Sequence, residues 1–433
     1  MKNFPFSASM IRSLIAAACI ASCASAAWAQ AVPGTPQQQP TQQPRRGGGF
    51  GISLDLGAII KAVSDTAIPN YESPDTSNQP QYEPRQVILA WEAANEAQAS
   101  AAIQSSGGNP TALTTLPSLS LGIAVLEFAT QSQADAALAS LQTNTALITS
   151  RHARAYPLQT SAAPSNARQY AHEMIKAPAN APRLQASISI GIIDTDINNQ
   201  SALASTNFKA KRFIADNEKA SSNDHGSAVA AIIAGSGVGF EGLAQGASFR
   251  SAGVMREVAP GINATNTLLV AQALDWMLLE KVQVVNMSLG AADDQVLATV
   301  IKKAQAAGTT IVAAAGNGGP QAAPSYPAAY PGVIGVTAID ARRGLYTRAN
   351  RGSYIAIAAP GVDVWVPISS EAGKGKYMSG TSFAAPFVAG AVARSIATSG
   401  AQAAGTPLLK NLCAKAFNLG TAQQDTGCGL LQY

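Results

Sequence analysis

The stretch SISIGIID, residues 187–194, is a short apolar run that ends on an acid. Four more apolar runs follow it along the chain, at residues 249–254, 282–287, 310–315 and 333–339. Helical patterns lie between them, at Ser227–Ala234, Thr265–Glu280 and Asp294–Ala306. Continuous apolar strands that alternate with helices favour a parallel sheet covered on both faces. The sequence therefore predicts a doubly wound α/β domain over about residues 169–433.

A smaller domain is predicted before it, over residues 85–159. The order of patterns is strand, helix, strand, strand, helix, strand, which is the order of a ferredoxin-like α+β sandwich. This region holds no group of acid, histidine and serine residues that would indicate chemistry. Residues 160–169, TSAAPSNARQ, predict an exposed linker that is open to proteolysis.

Composition limits the class of protein. The chain has 433 residues, of which 47% are apolar and 12% charged, and its net charge is +4. Much of the apolar share is alanine, so a soluble globular protein is favoured over a bundle of membrane spans. The small net charge gives no reason to propose nucleic acid as a partner. We expect a monomer.

The N-terminus has the pattern of an export signal. Lys2 and Arg12 are basic, residues 13–26 are apolar and too short to span a bilayer, and residues 27–29 form an A-x-A cleavage site. Residues 1–29 therefore predict a signal peptide. The alternative is a bacterial lipoprotein, since residues 20–23 resemble a lipidation box. In that case lipidated Cys23 would anchor the protein to a membrane.

Residues 30–84 follow as a linker of low complexity, rich at first in Gln, Pro and Gly. The chain has four cysteines. Cys19 and Cys23 lie in the signal segment, whereas Cys413 and Cys428 flank a short stretch near the C-terminus. After export the second pair is expected to form a disulfide, the alternative being two buried thiols.

Two kinds of position are candidates for a ligand site: the carboxyl ends of the strands of an open parallel sheet, and the starts of helices. Asp194, Ser288 and Asn317 follow predicted strands, and His225 and Ser382 stand at the start of alanine-rich helices. A serine hydroxyl is a weak nucleophile and needs a histidine as base and an acid to orient that base. Taken singly, each of the five has an ordinary structural explanation, such as a turn or a helix cap.

Taken together, four motifs resemble those of the subtilisin-like serine proteases, the subtilases. They occur in the order IIDTDI (192–197), DHGSAVA (224–230), AAAGNGG (313–319) and GTSFAAPFVAG (380–390). The resemblance covers about residues 169–433, and residues 85–159 are similar to the family's inhibitory propeptide. It implies an exported serine endopeptidase made as an inactive precursor.

The resemblance also implies a role for each matching residue. Ser382 is the implied nucleophile, His225 the base, Asp194 the residue that holds the imidazole, and Asn317 the side-chain donor to the oxyanion. The implied substrate-binding residues are Ser288, Leu289, Gly290, Ala313, Ala314, Ala315 and Ser325. Ser325 stands where relatives often carry glycine, so we expect a shallower pocket for small or medium apolar residues. Protein or peptide substrates and the chain's own propeptide are the implied partners.

Asp196 and the segment of residues 235–247 depart from the family pattern, whereas Pro386 lies within the family motif. Asp196 adds a carboxylate near Asp194, and we expect it to turn away to solvent. The segment of residues 235–247 offers only Glu241 as a carboxylate, so no cofactor is predicted, and calcium is possible but not supported. Pro386 leaves the carbonyl of Ser382 without its usual helical donor. A catalytically inactive subtilase fold used as a binding or scaffold lipoprotein is the alternative function.

Overall fold

The structure is a computed structural model that describes residues 80–157, 160–161, 170–178, 181–197, 207–237, 240–367, 375–399 and 406–433. The predicted signal peptide, Cys23 and almost all of the predicted linker at 30–84 lie outside these residues. The described residues all belong to one compact unit, Ala67–Tyr433. No helix among the described residues is long and apolar enough to cross a membrane.

The N-terminal part follows the predicted order of elements. It contains β1 (Tyr82–Glu92), α1 (Glu96–Ser105), β2 (Asn109–Leu116), β3 (Leu121–Glu127), α2 (Gln131–Leu141) and β4 (Ile148–Pro157). The strands pair antiparallel in the order β4-β1-β3-β2. The first strand starts before the predicted boundary at Arg85, since β1 begins at Tyr82.

The rest of the described chain forms a larger α/β layer structure. Its strands are β5 (Thr160–Ser161), β6 (Ser189–Asp194), β7 (Asn207–Arg212), β8 (Ser236–Gly237), β9 (Phe240–Glu241), β10 (Ser248–Gly253), β11 (Arg256–Ala259), β12 (Ile262–Asn266), β13 (Val284–Met287), β14 (Leu289–Ala291), β15 (Thr310–Ala314), β16 (Ile334–Ile339), β17 (Ile355–Pro360), β18 (Val364–Pro367) and β19 (Gly375–Ser379). Its helices are α3 (Tyr170–Met174), α4 (Asp224–Ala234), α5 (Thr267–Leu279), α6 (Gln295–Ala306), α7 (Thr381–Ser399), α8 (Thr406–Lys415) and α9 (Gln423–Thr426).

The main sheet is parallel and is covered on both faces, as the apolar runs predict. Its strands pair in the order β17-β16-β15-β13-β6-β10-β7. Along β6 the side chains alternate between two cores. Ile190 and Ile192 pack in the cluster that holds α4 and α7, whereas Ile193 packs in the cluster that holds α5 and α6. This alternation confirms the doubly wound α/β fold.

Some elements differ from the prediction. The edge strand β7 was not predicted, because its sequence NFKAKR is charged and all six residues are exposed. Thr265 lies in β12 and not in a helix, because Asn266 caps α5 by accepting a hydrogen bond from Leu269 N. Thr160 and Ser161 belong to a strand paired with β19, so the predicted linker at 160–169 is wrong at its first two residues. The predicted Cys413–Cys428 disulfide is present.

Candidate active site

The first pair of the site joins the end of a strand to the start of a helix. Asp194 is the last residue of β6 and His225 the second residue of α4, and their side chains are 1% and 2% exposed. His225 Nδ1 donates to Asp194 Oδ1 over 2.6 Å. This bond fixes the ring so that Nε2 carries the lone pair, which is the arrangement a general base needs. Among the described residues, Nε2 has no hydrogen-bond partner.

Thr195 ties the loop after β6 to the start of α4. Its backbone N–H donates to Asp194 Oδ1 at 2.6 Å, and its hydroxyl accepts from Gly226 N at 2.8 Å. A side chain at position 226 would meet the Thr195 carbonyl at 2.5 Å, so glycine is required there. The close approach of the two segments thus holds the acid and the imidazole in one geometry.

Ser382 lies at the start of α7, fully buried beside Ser288. Ser382 Oγ donates to Ser288 O at 3.3 Å. The ring of Phe383, the next residue, lies 5.4 Å from the ring of His225, so the chain brings the serine and the histidine to one place. The bond from Ser382 Oγ to His225 Nε2 is not among the hydrogen bonds of the described residues. Catalytic hydrogen bonds of this kind often tighten only in the complex with the reacting substrate.

Ser288 explains how the chain tolerates Pro386. Proline at that position removes the N–H that would pair with the carbonyl of Ser382 four residues earlier. Ser288 Oγ donates to that carbonyl at 2.9 Å, and Asn286 Nδ2 in turn donates to Ser288 Oγ at 2.9 Å. All three groups are fully buried, where an unpaired carbonyl would be costly. The serine hydroxyl therefore replaces the missing helical bond.

Asn317 is held by the residue that precedes Ser382. Its Oδ1 accepts from Thr381 N at 3.0 Å and from Thr381 Oγ1 at 2.9 Å, and Gly316 N donates to the same hydroxyl at 3.2 Å. Because a backbone N–H can only donate, the oxygen of the amide must face Thr381. The NH₂ group of Asn317 is therefore the end that points away from Thr381, as an oxyanion donor requires.

The predicted binding segment at 288–290 contacts an extended strand from the N-terminal domain. In β14, Leu289, Gly290 and Ala291 pair antiparallel with Pro157, Tyr156 and Ala155 of β4. On its other side β4 pairs with β12, through Ala155 with Thr265 and Arg154 with Asn266. The end of β4 thus lies between two strands of the larger domain.

The remaining predicted pocket residues are only partly brought together. Ala313 and Ala314 pack in the two opposite cores of the sheet. Ala315 follows the last residue of β15, and its carbonyl accepts from the Tyr354 hydroxyl at 2.8 Å. Ser325 is 9% exposed. Tyr354 therefore contacts one predicted pocket residue, Ala315, and no sequence motif identified it.

Asp196 was expected to point to solvent, but its side chain is paired with Arg212. Its carboxylate accepts from Arg212 Nε at 2.8 Å and forms a second bond to the same guanidinium. Arg212 lies at the end of the unpredicted strand β7, so no sequence pattern indicated this pair. The missed residues Thr195, Asn286 and Thr381 were all next to or within two residues of a predicted one, and that proximity is the only signal that could have found them.

The comparisons with known proteins agree with this geometry. The model of the subtilase family matches residues 185–429, more than half of the chain. Subtilisin DY of Bacillus licheniformis is 31% identical over 218 residues, which cover 48% of this chain and 76% of that protein. The chain belongs to the subtilase family of serine endopeptidases. This subtilase carries the family's Asp-His pair in a buried contact.

Other relatives are matched over different shares of their length. The thermostable alkaline protease of Halalkalibacterium halodurans is 36% identical, over 40% of this chain and 46% of its own. Among solved structures, fervidolysin from Fervidobacterium pennivorans, a keratinolytic enzyme, has a TM-score of 0.69 at 21% identity, over 82% of this chain and 61% of its own. The epidermin leader peptide processing protease of Staphylococcus aureus has a TM-score of 0.61 at 19% identity. The match covers 80% of this chain and 97% of that protein's chain.

Proposed function

We propose that this subtilase is an exported serine endopeptidase, made as a precursor that its own N-terminal domain keeps inactive. Residues 85–159, seen as β1 to β4, act as the propeptide, and residues 169–433 form the peptidase domain. The similarity to fervidolysin supports this division, because it covers more of the chain than the residues matched by the subtilase family.

The observation that carries the proposal is the path of the chain past Ser382. Before the site, Ala155–Pro157 pair with Leu289–Ala291 as an added strand. Beyond it, Thr160 and Ser161 pair with Ser379 and Met378, just before Ser382 in sequence. An extended segment that pairs on both sides of a nucleophile is bound as a substrate is, through its backbone. It also blocks access of other substrates.

The residues of the site take the following roles in peptide hydrolysis. His225 Nε2 removes the proton from Ser382 Oγ, which attacks the carbonyl carbon of the scissile bond, and Asp194 stabilises the imidazolium that forms. The oxyanion accepts hydrogen bonds from the Asn317 amide and from the N–H of Ser382 at the N-terminus of α7. His225 then gives its proton to the leaving nitrogen, and water releases the acyl group by the same steps.

The first substrate is the chain itself. The register supports a cut at one of the bonds that join residues 157 and 160. Leu158 and Gln159 lie outside the described residues. A cut after Leu158 would agree with the preference for small or medium apolar residues that Ser325 suggests. Export rests on residues 1–29, and a membrane anchor rests on Cys23 alone.

The test compares the full-length chain with its Ser382→Ala variant. We expect the parent chain to label with a fluorophosphonate and to yield a mature N-terminus between residues 158 and 160 by N-terminal sequencing. The variant should remain unprocessed and unlabelled. Folded parent protein that neither labels nor cleaves peptides would instead support the inactive scaffold function.

A further inference from the structure

Asp294 is a buried acid at the place where the bound strand leaves the larger domain. It caps α6, since its Oδ1 accepts from Val296 N at 2.8 Å and from Leu297 N at 3.0 Å. Its Oδ2 accepts from the Thr267 hydroxyl at 2.6 Å and from Ala153 N at 3.3 Å. Ala153 belongs to β4, so one oxygen of this cap also contacts the strand that lies in the cleft.

The contact continues the recognition of the strand beyond the paired residues. The ladders with β14 and β12 end at Ala155 and Arg154. The N–H of Arg154 donates to Gln81 O at 2.9 Å, within the N-terminal domain. The N–H of Ala153 is the next donor along the strand, and the peptidase domain accepts it through Asp294 and not through its own backbone.

We propose that Asp294 is a specificity-determining residue that binds the backbone N–H of extended substrates at the position of Ala153. This inference rests on the proposed function, in which β4 occupies the substrate cleft. Three of the four bonds to the carboxylate come from the peptidase domain itself, so they hold it in place when the strand leaves. A preorganised acceptor loses little entropy on binding, and a charged one makes a stronger hydrogen bond.

The chemistry of the site sets the class of substrate it favours. Every residue except proline has a backbone N–H, so this contact does not distinguish between side chains. Only a peptide that is long and extended enough to reach Asp294 can form it. A substrate must reach two residues beyond Ala155 to use it. The enzyme should therefore prefer proteins and long peptides over short ones, and should disfavour proline at the position of Ala153.

The test uses processed enzyme from the full chain and the peptide HARAYPLQTS, which has the sequence of residues 152–161. Two analogues carry an ester oxygen in place of one N–H, at Ala153 or at Arg154. We expect the Ala153 ester to lower kcat/KM about tenfold, the loss typical of a hydrogen bond to a charged group. The Arg154 ester should change kcat/KM less than about twofold, because its N–H contacts only the N-terminal domain.

Two variants assign the effect to the carboxylate. Asp294→Asn replaces one oxygen by a donor and should lower kcat/KM for the parent peptide, with no further loss for the Ala153 ester. Asp293→Asn is the matched control, because it removes the same charge from the neighbouring exposed residue. It should keep the full sensitivity to the Ala153 ester.

A shorter peptide, AYPLQTS, lacks the Ala153 N–H. It distinguishes the loss of this hydrogen bond from a structural effect of the substitution. The parent enzyme and Asp294→Asn should cleave it at equal rates. Slower cleavage by the variant would show a structural role for Asp294 and overturn the inference, as would equal kcat/KM for the parent peptide and its Ala153 ester. Failure of the parent enzyme to cleave any of these peptides would remove the proposed function and this inference together.

Discussion

Two buried histidines, in two regions of the molecule, face opposite kinds of partner. His225 in the active site and His152 in β4 are each 2% exposed. His225 Nδ1 contacts the carboxylate of Asp194, whereas His152 Nδ1 contacts the neutral Gln86 Oε1 at 2.7 Å. Equal burial therefore gives two different environments, and the partner decides what each ring can do.

The two histidines also differ in the surroundings of their second ring nitrogen, Nε2. His152 Nε2 accepts the N–H of Leu268 at 3.4 Å, in the first turn of α5, where a helix carries partial positive charge. A protonated ring could not accept that bond. Burial lowers the pKa of His152 to about 4; Glu83 opposes this shift, Asn266 also opposes it, and Arg256 and Arg154 add to it. His152 is thus a neutral hydrogen-bond acceptor that joins the two domains. Nε2 of His225, in contrast, is available to accept a proton.

The largest effect expected is on activity, and it should fall on only one of the two histidines. His225→Gln should lower kcat of the processed enzyme about 10⁶-fold, a size taken from subtilisin, a relative of this chain. His152→Gln should leave kcat nearly unchanged, because β4 belongs to the proposed propeptide and not to the proposed peptidase domain. Steady-state kinetics on a peptide substrate would decide this, and comparable losses in both variants would contradict the distinction.

Asn317→Ala tests the active-site region without touching either histidine. Loss of the amide donor should lower kcat by about 10²- to 10³-fold, again a size taken from subtilisin, with little change in KM. Thermal melting of the variant serves as the control for folding. A change in KM alone would mean that Asn317 binds the ground state and does not stabilise the oxyanion.

The pH dependence of stability tests the region of His152. Its pKa is lower in the folded precursor than the ordinary 6.5, so the folded state binds fewer protons and loses stability as the pH falls below 6.5 towards 4. Between pH 7.5 and 5 the loss should be about 2 kcal/mol. Urea unfolding of the uncleaved Ser382→Ala precursor measures it.

The same measurement on Ser382→Ala with His152→Gln supplies the control, because glutamine does not titrate. The difference between the two precursors cancels the titration of all carboxylates common to both. Equal acid losses in both proteins would show that His152 does not contribute to the pH dependence of the precursor.

Ser288→Ala should lower the free energy of unfolding by less than acidification lowers that of the precursor. The change lies in the active-site region. The variant leaves the Ser382 carbonyl without the hydroxyl that replaces the bond removed by Pro386. We expect a loss of about 1–2 kcal/mol in the free energy of unfolding. Ser353→Ala, at an exposed position just before β17, is the control and should be almost neutral. Equal unfolding free energies for both variants would argue against the role given to Ser288.

The smallest effect is expected from Arg212→Ala. Its side chain is 56% exposed, and such pairs contribute roughly 0–1 kcal/mol. Loss of the partner should leave Asp196 solvated, with kcat/KM changed less than about twofold. A large loss of kcat at neutral pH would mean that Arg212 keeps the Asp196 charge away from Asp194, and that the pair belongs to the active-site region.

Much of the site could be predicted because its residues occupy local positions. Asp194, Ser288 and Asn317 follow apolar strands, and His225 and Ser382 start helices, and each position can be recognised within a short stretch of sequence. Parallel strands then bring these ends to one edge of the sheet. The order of elements in the N-terminal domain was predictable for the same reason.

The sequence by itself determined the alternation of strands and helices, the order of the four motifs and the Cys413–Cys428 pair. Only the tertiary structure decided that β4 lies between β12 and β14, that Asp294 reaches Ala153, and that Asp196 pairs with Arg212. The periodicity of apolar residues indicates, over a few turns of chain, which face of a segment packs against a core. The second group of contacts joins polar groups on separate segments, and their partners are set by the register of whole strands, which no local pattern encodes.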